Sequence, residues 1–153
     1  LSQADIDFLR DKAIAIPEKK ARILLHGNPE KSLHEMLITH TRGSYIQPHI
    51  NTHSDKSFIV LEGEMVVVVY KEDGAINNHI RLSTYDSSLA FMLRLNGPMF
   101  HTVVPTSETV TFLETIKGPH IETVYASFAP PPTNVSQTEK YMAWLVNEIG
   151  VNH

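Results

Sequence analysis

Cysteine is absent from the 153-residue sequence, which excludes disulfide scaffolds, thiol nucleophiles and cysteine-ligated zinc sites. Long hydrophobic runs are absent too, and the apolar run Met65–Tyr70 is far shorter than the roughly 20 residues that a membrane-spanning helix needs. Residues 1–16 mix charged with apolar residues, whereas a signal peptide has a basic start and then an apolar block. We therefore expect a soluble, cytoplasmic protein with no membrane partner.

Basic residues are in the minority. The sequence has 13 Lys and Arg against 17 Asp and Glu, a formal net charge of -4, and its basic residues do not cluster. This charge is unfavourable for contacts with a phosphate backbone, so we expect no nucleic-acid partner. The motifs G-x-S-x-G, G-x-G-x-x-G and G-x-x-x-x-G-K-[ST] are also missing, which argues against a nucleophile-elbow hydrolase and against a nucleotide-phosphate cradle.

The middle of the chain has the pattern of an all-β domain. Short segments rich in Val, Ile, Thr, Tyr and Phe alternate with turn residues such as Asp73-Gly74. About ten strands in one domain suit a closed barrel or a two-sheet jelly roll, which leave few exposed sheet edges; an immunoglobulin-type sandwich is the alternative. The predicted strands are 21–25, 34–41, 44–48, 57–61, 64–70, 78–83, 89–93, 101–104, 109–116 and 121–128.

A helix is predicted near each end of the chain. Ser2 is followed three residues later by Asp5 and then by apolar residues at helical spacing. Near the C-terminus, Ser136 and Glu139 form a candidate capping box for a helix over about 137–148. The two patterns predict that the β domain is flanked by short helices.

These patterns divide a single domain into three parts. A chain of 153 residues has the ordinary size of one domain. The consecutive prolines at 130–132 lack the N–H donors that a sheet interior needs, so they predict a linker. We expect an N-terminal helix over 1–20, a barrel over 21–130, and the linker with the C-terminal helix over 131–153.

Histidine is abundant, with nine in the sequence. His49, Asn51 and His53 alternate along a predicted strand end, so their side chains would share one face. His101 follows a turn and opens another strand, which gives it a place opposite that face. Imidazoles that converge from separate strands are suited to Zn, Fe, Mn or Ni. Five others are expected to be structural or exposed: His34, His40, His79, His120 and His153.

The stretch from Gly43 through His49 to Asn51, followed by Lys56 and Gly63, resembles the first motif of the cupin superfamily, written G-x5-H-x-H-x(3,4)-E-x6-G. The spacing matches throughout, but Asn51 stands at the second histidine position and Lys56 at the glutamate position. His101, preceded by the turn at 96–98, is similar to the histidine of the second cupin motif. The resemblance implies an all-β, cupin-type double-stranded β-helix, a jelly-roll barrel, with short N-terminal and C-terminal helices.

Other segments resemble the WbuC-type family of cupin-fold metalloproteins, found among bacterial O-antigen genes: 43–49, 60–63, 100–104, 112–114 and 117–119. Arg22 and His26 also look like that family's upstream Arg and His. The resemblance implies a divalent metal in the open end of the barrel. Its ligands would be His49 and His101 with His53 or Asn51, and the O-antigen context suggests a carbohydrate-derived substrate. No residue is assigned a catalytic role.

Lys56 separates two hypotheses about function. A protonated Lys56 about 4 Å from a dication would be repelled by about 8 kcal/mol, so metal binding requires this side chain to turn outward. Alternatively, its ammonium takes the place of the metal and binds an anion. The protein is then either a metal-dependent enzyme that acts on a small molecule or a metal-free binding module for an anionic or sugar ligand. The other candidate ligand contacts are Tyr45, Glu114, Arg22 and His26.

A homodimer is expected under either hypothesis. Unpaired sheet edges offer backbone donors and acceptors to a second chain. This expectation concerns assembly and leaves the choice of ligand open.

Overall fold

The computed structural model describes residues 1–52 and 55–151. His53, one of the candidate metal ligands, and His153 lie outside the described residues. The elements are α1 (Gln3–Ala15), β1 (Lys20–Leu24), β2 (Leu33–Thr41), β3 (His49–Asn51), β4 (Lys56–Glu62), β5 (Met65–Tyr70), β6 (Ile76–Leu82), β7 (Met92–Leu95), β8 (His101–Pro105), β9 (Thr109–Lys117), β10 (Thr123–Tyr125) and α2 (Val135–Glu148).

The strands form two five-stranded sheets with the orders β1-β2-β9-β4-β7 and β10-β3-β8-β5-β6. The pairs between these strands are antiparallel, as hairpins and jelly-roll connections require. The inner faces of both sheets share one apolar core, to which Phe58 and Phe112 contribute from the first sheet and Val67 and Val103 from the second. The structure thus confirms the predicted all-β fold with a short helix near each end.

Strand β5 lies at the centre of this packing. All six of its residues are buried. Because successive side chains point to opposite faces, Met65, Val67 and Val69 enter the shared core while Val66 and Val68 face outward beneath α2. This double burial explains why the strand is continuously apolar and does not alternate with polar residues.

Each helix covers the outer face of one sheet. Leu9 of α1 packs on Leu37 of β2. On the other side, Leu145 of α2 packs on Val66 and Val104. Among the described residues, no helix is long and apolar enough to cross a membrane.

The helix starts differ in how well the sequence predicts them. The backbone N–H of Ser2 donates to the Asp5 carboxylate at 2.7 Å, which confirms the expected N-terminal capping box. At α2 the expected box is wrong: the N-cap is Asn134, whose side chain accepts from the backbone N–H of Gln137 at 3.3 Å. Asparagine is among the best N-cap residues, and it starts the helix earlier than Ser136 would.

The predicted strand over 44–48 is wrong, since the structure places β3 at His49–Asn51 instead. Pro48 has no N–H to offer a neighbouring strand. Side chains of the preceding residues bind the proline linker: the Tyr45 hydroxyl donates to the carbonyl of Pro130 at 2.7 Å, and the Gln47 amide donates to the carbonyl of Ala129 at 3.4 Å. The segment therefore fastens the linker to the barrel.

His40 is a buried titratable group in β2. Its ring meets Phe112 edge to face at 5.3 Å, and Lys20 is its cross-strand neighbour. Burial, and next the charge of Lys20, lower the pKa of His40 from 6.5 to about 3. The folded protein therefore holds this imidazole neutral at pH values where an unfolded chain would protonate it.

Acidification is expected to destabilise the protein through His40. When the pH is lowered from about 6.5 to about 5, His40 gains a proton in the unfolded chain but not in the folded chain. The free energy of unfolding therefore decreases by about 2 kcal/mol over this range because of His40. Urea unfolding at both pH values measures the change. In the His40→Gln variant that part of the pH dependence should be lost, and an unchanged slope would contradict the assignment.

The contact of α2 with the second sheet should be a major source of stability. Leu145 is fully buried, so Leu145→Ala is expected to lower the free energy of unfolding by about 2–5 kcal/mol. Val135 lies on the same helix but is 63% exposed, and Val135→Ala serves as the control, with a change within about 0.5 kcal/mol. Equal effects of the two variants in urea unfolding would disprove this packing role.

Candidate functional site

Two histidines from the second sheet meet at one end of the barrel. His49 of β3 and His101 of β8 are direct cross-strand partners, so their side chains lie on the same face. Their ring centroids are 4.6 Å apart. Nδ1 of His49 donates to the carbonyl of Gln47 at 3.0 Å, and Nδ1 of His101 donates to that of Met99 at 2.9 Å. These bonds leave Nε2 of each neutral ring as an acceptor.

The first sheet contributes Lys56, which points inward and is only 5% exposed. Its Nζ donates to Nε2 of His101 at 3.2 Å and lies 3.2 Å from Oε1 of Glu114. Lys56 of β4 opposes Ile116 of β9, so Glu114 is its diagonal neighbour on the same face, within reach of a long side chain. The ammonium is therefore held between a carboxylate and an imidazole at the end of the apolar core.

Both imidazoles at this site are neutral at physiological pH. Burial lowers the pKa of His101 well below its ordinary value, and the charge of Lys56 adds to this effect. Burial, followed by Lys56, lowers the pKa of His49 to about 4. The site therefore presents one ammonium together with imidazole acceptors.

Asn51 ends β3 beside these groups. Its Nδ2 donates to Oγ1 of Thr123 on β10 at 3.0 Å, which fixes the orientation of the amide. Its Oδ1 is buried and has no hydrogen-bond partner among the described residues. A buried acceptor left unpaired is costly, so this oxygen is a place where a ligand donor would be stabilised.

His49, Asn51, Lys56 and Glu114 line a cavity of about 940 Å³, which is large enough for a small-molecule ligand. His101 lines a smaller recess that shares Asn51 and Lys56 with this cavity. Three basic side chains and one carboxylate face it, so the lining is net positive when the histidines are neutral. Burial, and then the charge of Arg22, lower the pKa of Lys20. The charged residues of the lining are Lys20, Arg22, Lys56 and Glu114.

The cavity lining includes most, but not all, of the residues singled out in the sequence. Arg22 and His26 line it with Lys56 and Glu114. Tyr45 does not: its hydroxyl binds the linker, and its ring packs against Tyr141 of α2 at 6.1 Å. Tyr45, expected as a ligand contact, therefore does not belong to the cavity lining.

Among the lining residues that were not predicted as ligand contacts are one lysine and two histidines: Lys20, His34 and His120. Residues two apart in a strand lie on the same face, and this rule could have indicated the first two. Lys20 shares the cavity face of β1 with Arg22 and Leu24. His34 shares that of β2 with Met36. His34 also stacks on His26, with ring centroids 4.0 Å apart and planes within 2° of parallel. His120 follows β9 in a connecting segment, where no periodic signal exists.

The groups described here do not fit a divalent metal. Within residues 1–52 and 55–151 no three His, Cys, Asp or Glu side chains are placed to hold one. The Lys56 ammonium lies against His101, and at about 4 Å it would repel a dication by about 8 kcal/mol. The metal hypothesis required Lys56 to turn outward, whereas the structure places it inside.

Solved structures with similar folds are double-stranded β-helix proteins of the cupin type. Oxalate oxidase in complex with the substrate analogue glycolate has a TM-score of 0.58 and 13% identity, covering 90% of this chain and 69% of its own. An uncharacterized conserved protein with a double-stranded β-helix domain from Klebsiella pneumoniae has a TM-score of 0.55 and 13% identity, covering 70% of this chain and 79% of its own. Procruciferin, an 11S globulin from Brassica napus, has a TM-score of 0.51 and 16% identity; 61% of this chain matches 23% of that one.

These likenesses confirm the predicted double-stranded β-helix fold, and at such identities they concern the fold alone. No curated protein matches the sequence. Residues 1–82 match the model of a family described as Domain of unknown function (DUF6016), and the chain therefore belongs to this family.

Proposed function

We propose that this cupin-fold protein binds a small anionic molecule in its barrel cavity, with the Lys56 ammonium in the role that a metal has in metal-dependent cupins. The observation that carries the proposal is the inward, buried Lys56, held 3.2 Å from both His101 and Glu114. It stands at the motif position where a metal-binding cupin has its glutamate ligand.

The charge distribution supports an anionic ligand. The Lys56 charge is balanced by Glu114, but Lys20 and Arg22 make no ion pair within residues 1–52 and 55–151. An anion that enters would reduce the repulsion between these two cations. It would also be desolvated in a concave site, where a charge-assisted hydrogen bond is stronger than in water.

Small carboxylates are the natural first ligands to test, since one structural neighbour carries glycolate as a substrate analogue. The resemblance to the WbuC-type family adds carbohydrate-derived acids to this class. Binding alone is proposed here, and no chemical step is assigned to any residue.

Removal of the Lys56 charge should abolish most of the binding. The double variant Lys56→Met, Glu114→Gln removes both partners of the ion pair, which avoids leaving an uncompensated charge in the barrel. We expect its affinity for acetate, glycolate and phosphate to fall about 30-fold or more, because truncation of a desolvated charge contact costs at least about 2 kcal/mol. Two-dimensional amide NMR titrations measure the dissociation constants.

Lys71→Met is the matched control, since Lys71 is exposed after β5 and does not belong to the cavity lining. Its affinities should stay within about twofold of the native values. Native protein that binds none of the three anions, or a double variant that binds them equally well, would overturn the proposal.

The same geometry predicts the metal content. Native protein purified without chelator should hold far less than one divalent metal per chain, because Lys56 repels it. The double variant Asn51→His, Lys56→Glu restores the motif ligands and should acquire about one zinc per chain. Elemental analysis of both proteins distinguishes the hypotheses: one metal per native chain would contradict a metal-free site.

A further inference from the structure

We infer that the ligand is an α-hydroxy acid, whose carboxylate binds Lys56 while the hydroxyl on the adjacent carbon donates to Asn51. This inference rests on the proposed binding of anions and adds the chemical class of the ligand. It follows from the donors and acceptors that remain unused around Lys56.

Lys56 keeps one donor for a ligand. An ammonium has three N–H groups. One donates to Nε2 of His101 and one to the Glu114 carboxylate, each across 3.2 Å. The third has no acceptor among the described residues, although the ammonium lines the cavity. A carboxylate oxygen is the strongest partner available to such a donor.

The neighbouring groups are acceptors. Oδ1 of Asn51 is buried and has no partner within residues 1–52 and 55–151. Nε2 of His49 is an acceptor because Nδ1 of this ring donates to the Gln47 carbonyl. A ligand that satisfies Lys56 together with one of these acceptors must carry both an acceptor and a donor, and in an α-hydroxy acid the two lie on adjacent carbons.

The space beside Lys56 limits the size of the donor. Asn51 and Lys56 share a recess of about 10 Å³ next to His101, which Gly97 and Met99 also line. This volume holds about one water-sized group. A hydroxyl fits there, whereas a methoxy group does not.

The charge of the lining selects a neutral donor. An α-amino acid also carries a donor beside its carboxylate, but that donor is an ammonium. Lys20, Arg22 and Lys56 outnumber Glu114 in the cavity, so a ligand cation is repelled. A hydroxyl supplies the same hydrogen bond without a charge.

Four ligands of nearly equal size test the inference: glycolate, acetate, methoxyacetate and glycine. We expect glycolate to bind native protein about 10-fold more tightly than the others, since only glycolate satisfies the buried acceptor with a neutral donor. Amide NMR titrations at one pH and one salt concentration give the four dissociation constants.

Two variants locate the effect. Asn51→Leu removes the acceptor, and Thr123→Val removes the hydrogen bond that orients it. Each should bring the affinity ratio of glycolate to acetate, measured on the same variant, close to one. Asn77→Leu, an exposed change in β6, is the control and should keep the native ratio. The two variants act through different strands, so the test survives if one of them does not fold.

The outcomes separate this inference from the proposed function. If acetate and glycolate bind equally, or if glycine or methoxyacetate binds best, the inference that the ligand is an α-hydroxy acid is wrong. The proposed binding of anions is not contradicted by that result. If both variants fold and keep the native ratio, the hydroxyl does not bind Asn51, and the inference is overturned. If none of the four ligands binds, the proposed function itself fails.

Discussion

The buried ammonium of Lys56 is the group on which the arrangement of this site depends. A charge taken out of water is expensive unless it is paired and hydrogen-bonded, and Glu114 and His101 supply these contacts from two different sheets. Burial keeps His101 neutral, and the charge of Lys56 adds to this effect, so the imidazole can accept from the ammonium. The ion pair thus sets the charge and the remaining hydrogen-bonding capacity at the end of the core, while the bond from Nδ1 of His101 to the Met99 carbonyl sets the tautomer.

Strand register is what brings these groups together. His49 and His101 face each other because β3 and β8 pair at this one position, and a shift by one residue would turn His49 away. On the other sheet, the register between β4 and β9 shifts between Val60 and Glu62, which is beyond the site. The alternation of inward and outward side chains along β4 is therefore undisturbed from Lys56 to Val60. Lys56 and Phe58 therefore remain on one inward face, with the ammonium 5.6 Å from the ring centroid.

Periodicity predicted much of the fold and part of the site. The alternating strands, the continuous apolar run of β5 and the spacing from Gly43 to Gly63 all correspond to elements of the structure. The direction of Lys56 could not be read in the same way, because its compensating carboxylate stands in β9, far away in the chain. The prediction for Tyr45 failed for a related reason. Its hydroxyl binds the backbone carbonyl of Pro130, and a sequence does not indicate which backbone carbonyl a side chain will bind.

The linker that Tyr45 and Gln47 fasten is also part of the cavity, since Pro132 belongs to its lining. Proline has a fixed φ, so a linker with three consecutive prolines loses little conformational entropy when it becomes ordered. Pro132 is therefore a preformed part of the cavity wall. A small ligand therefore gains affinity without first ordering a loop, and discrimination at this side of the cavity comes from shape rather than from induced fit.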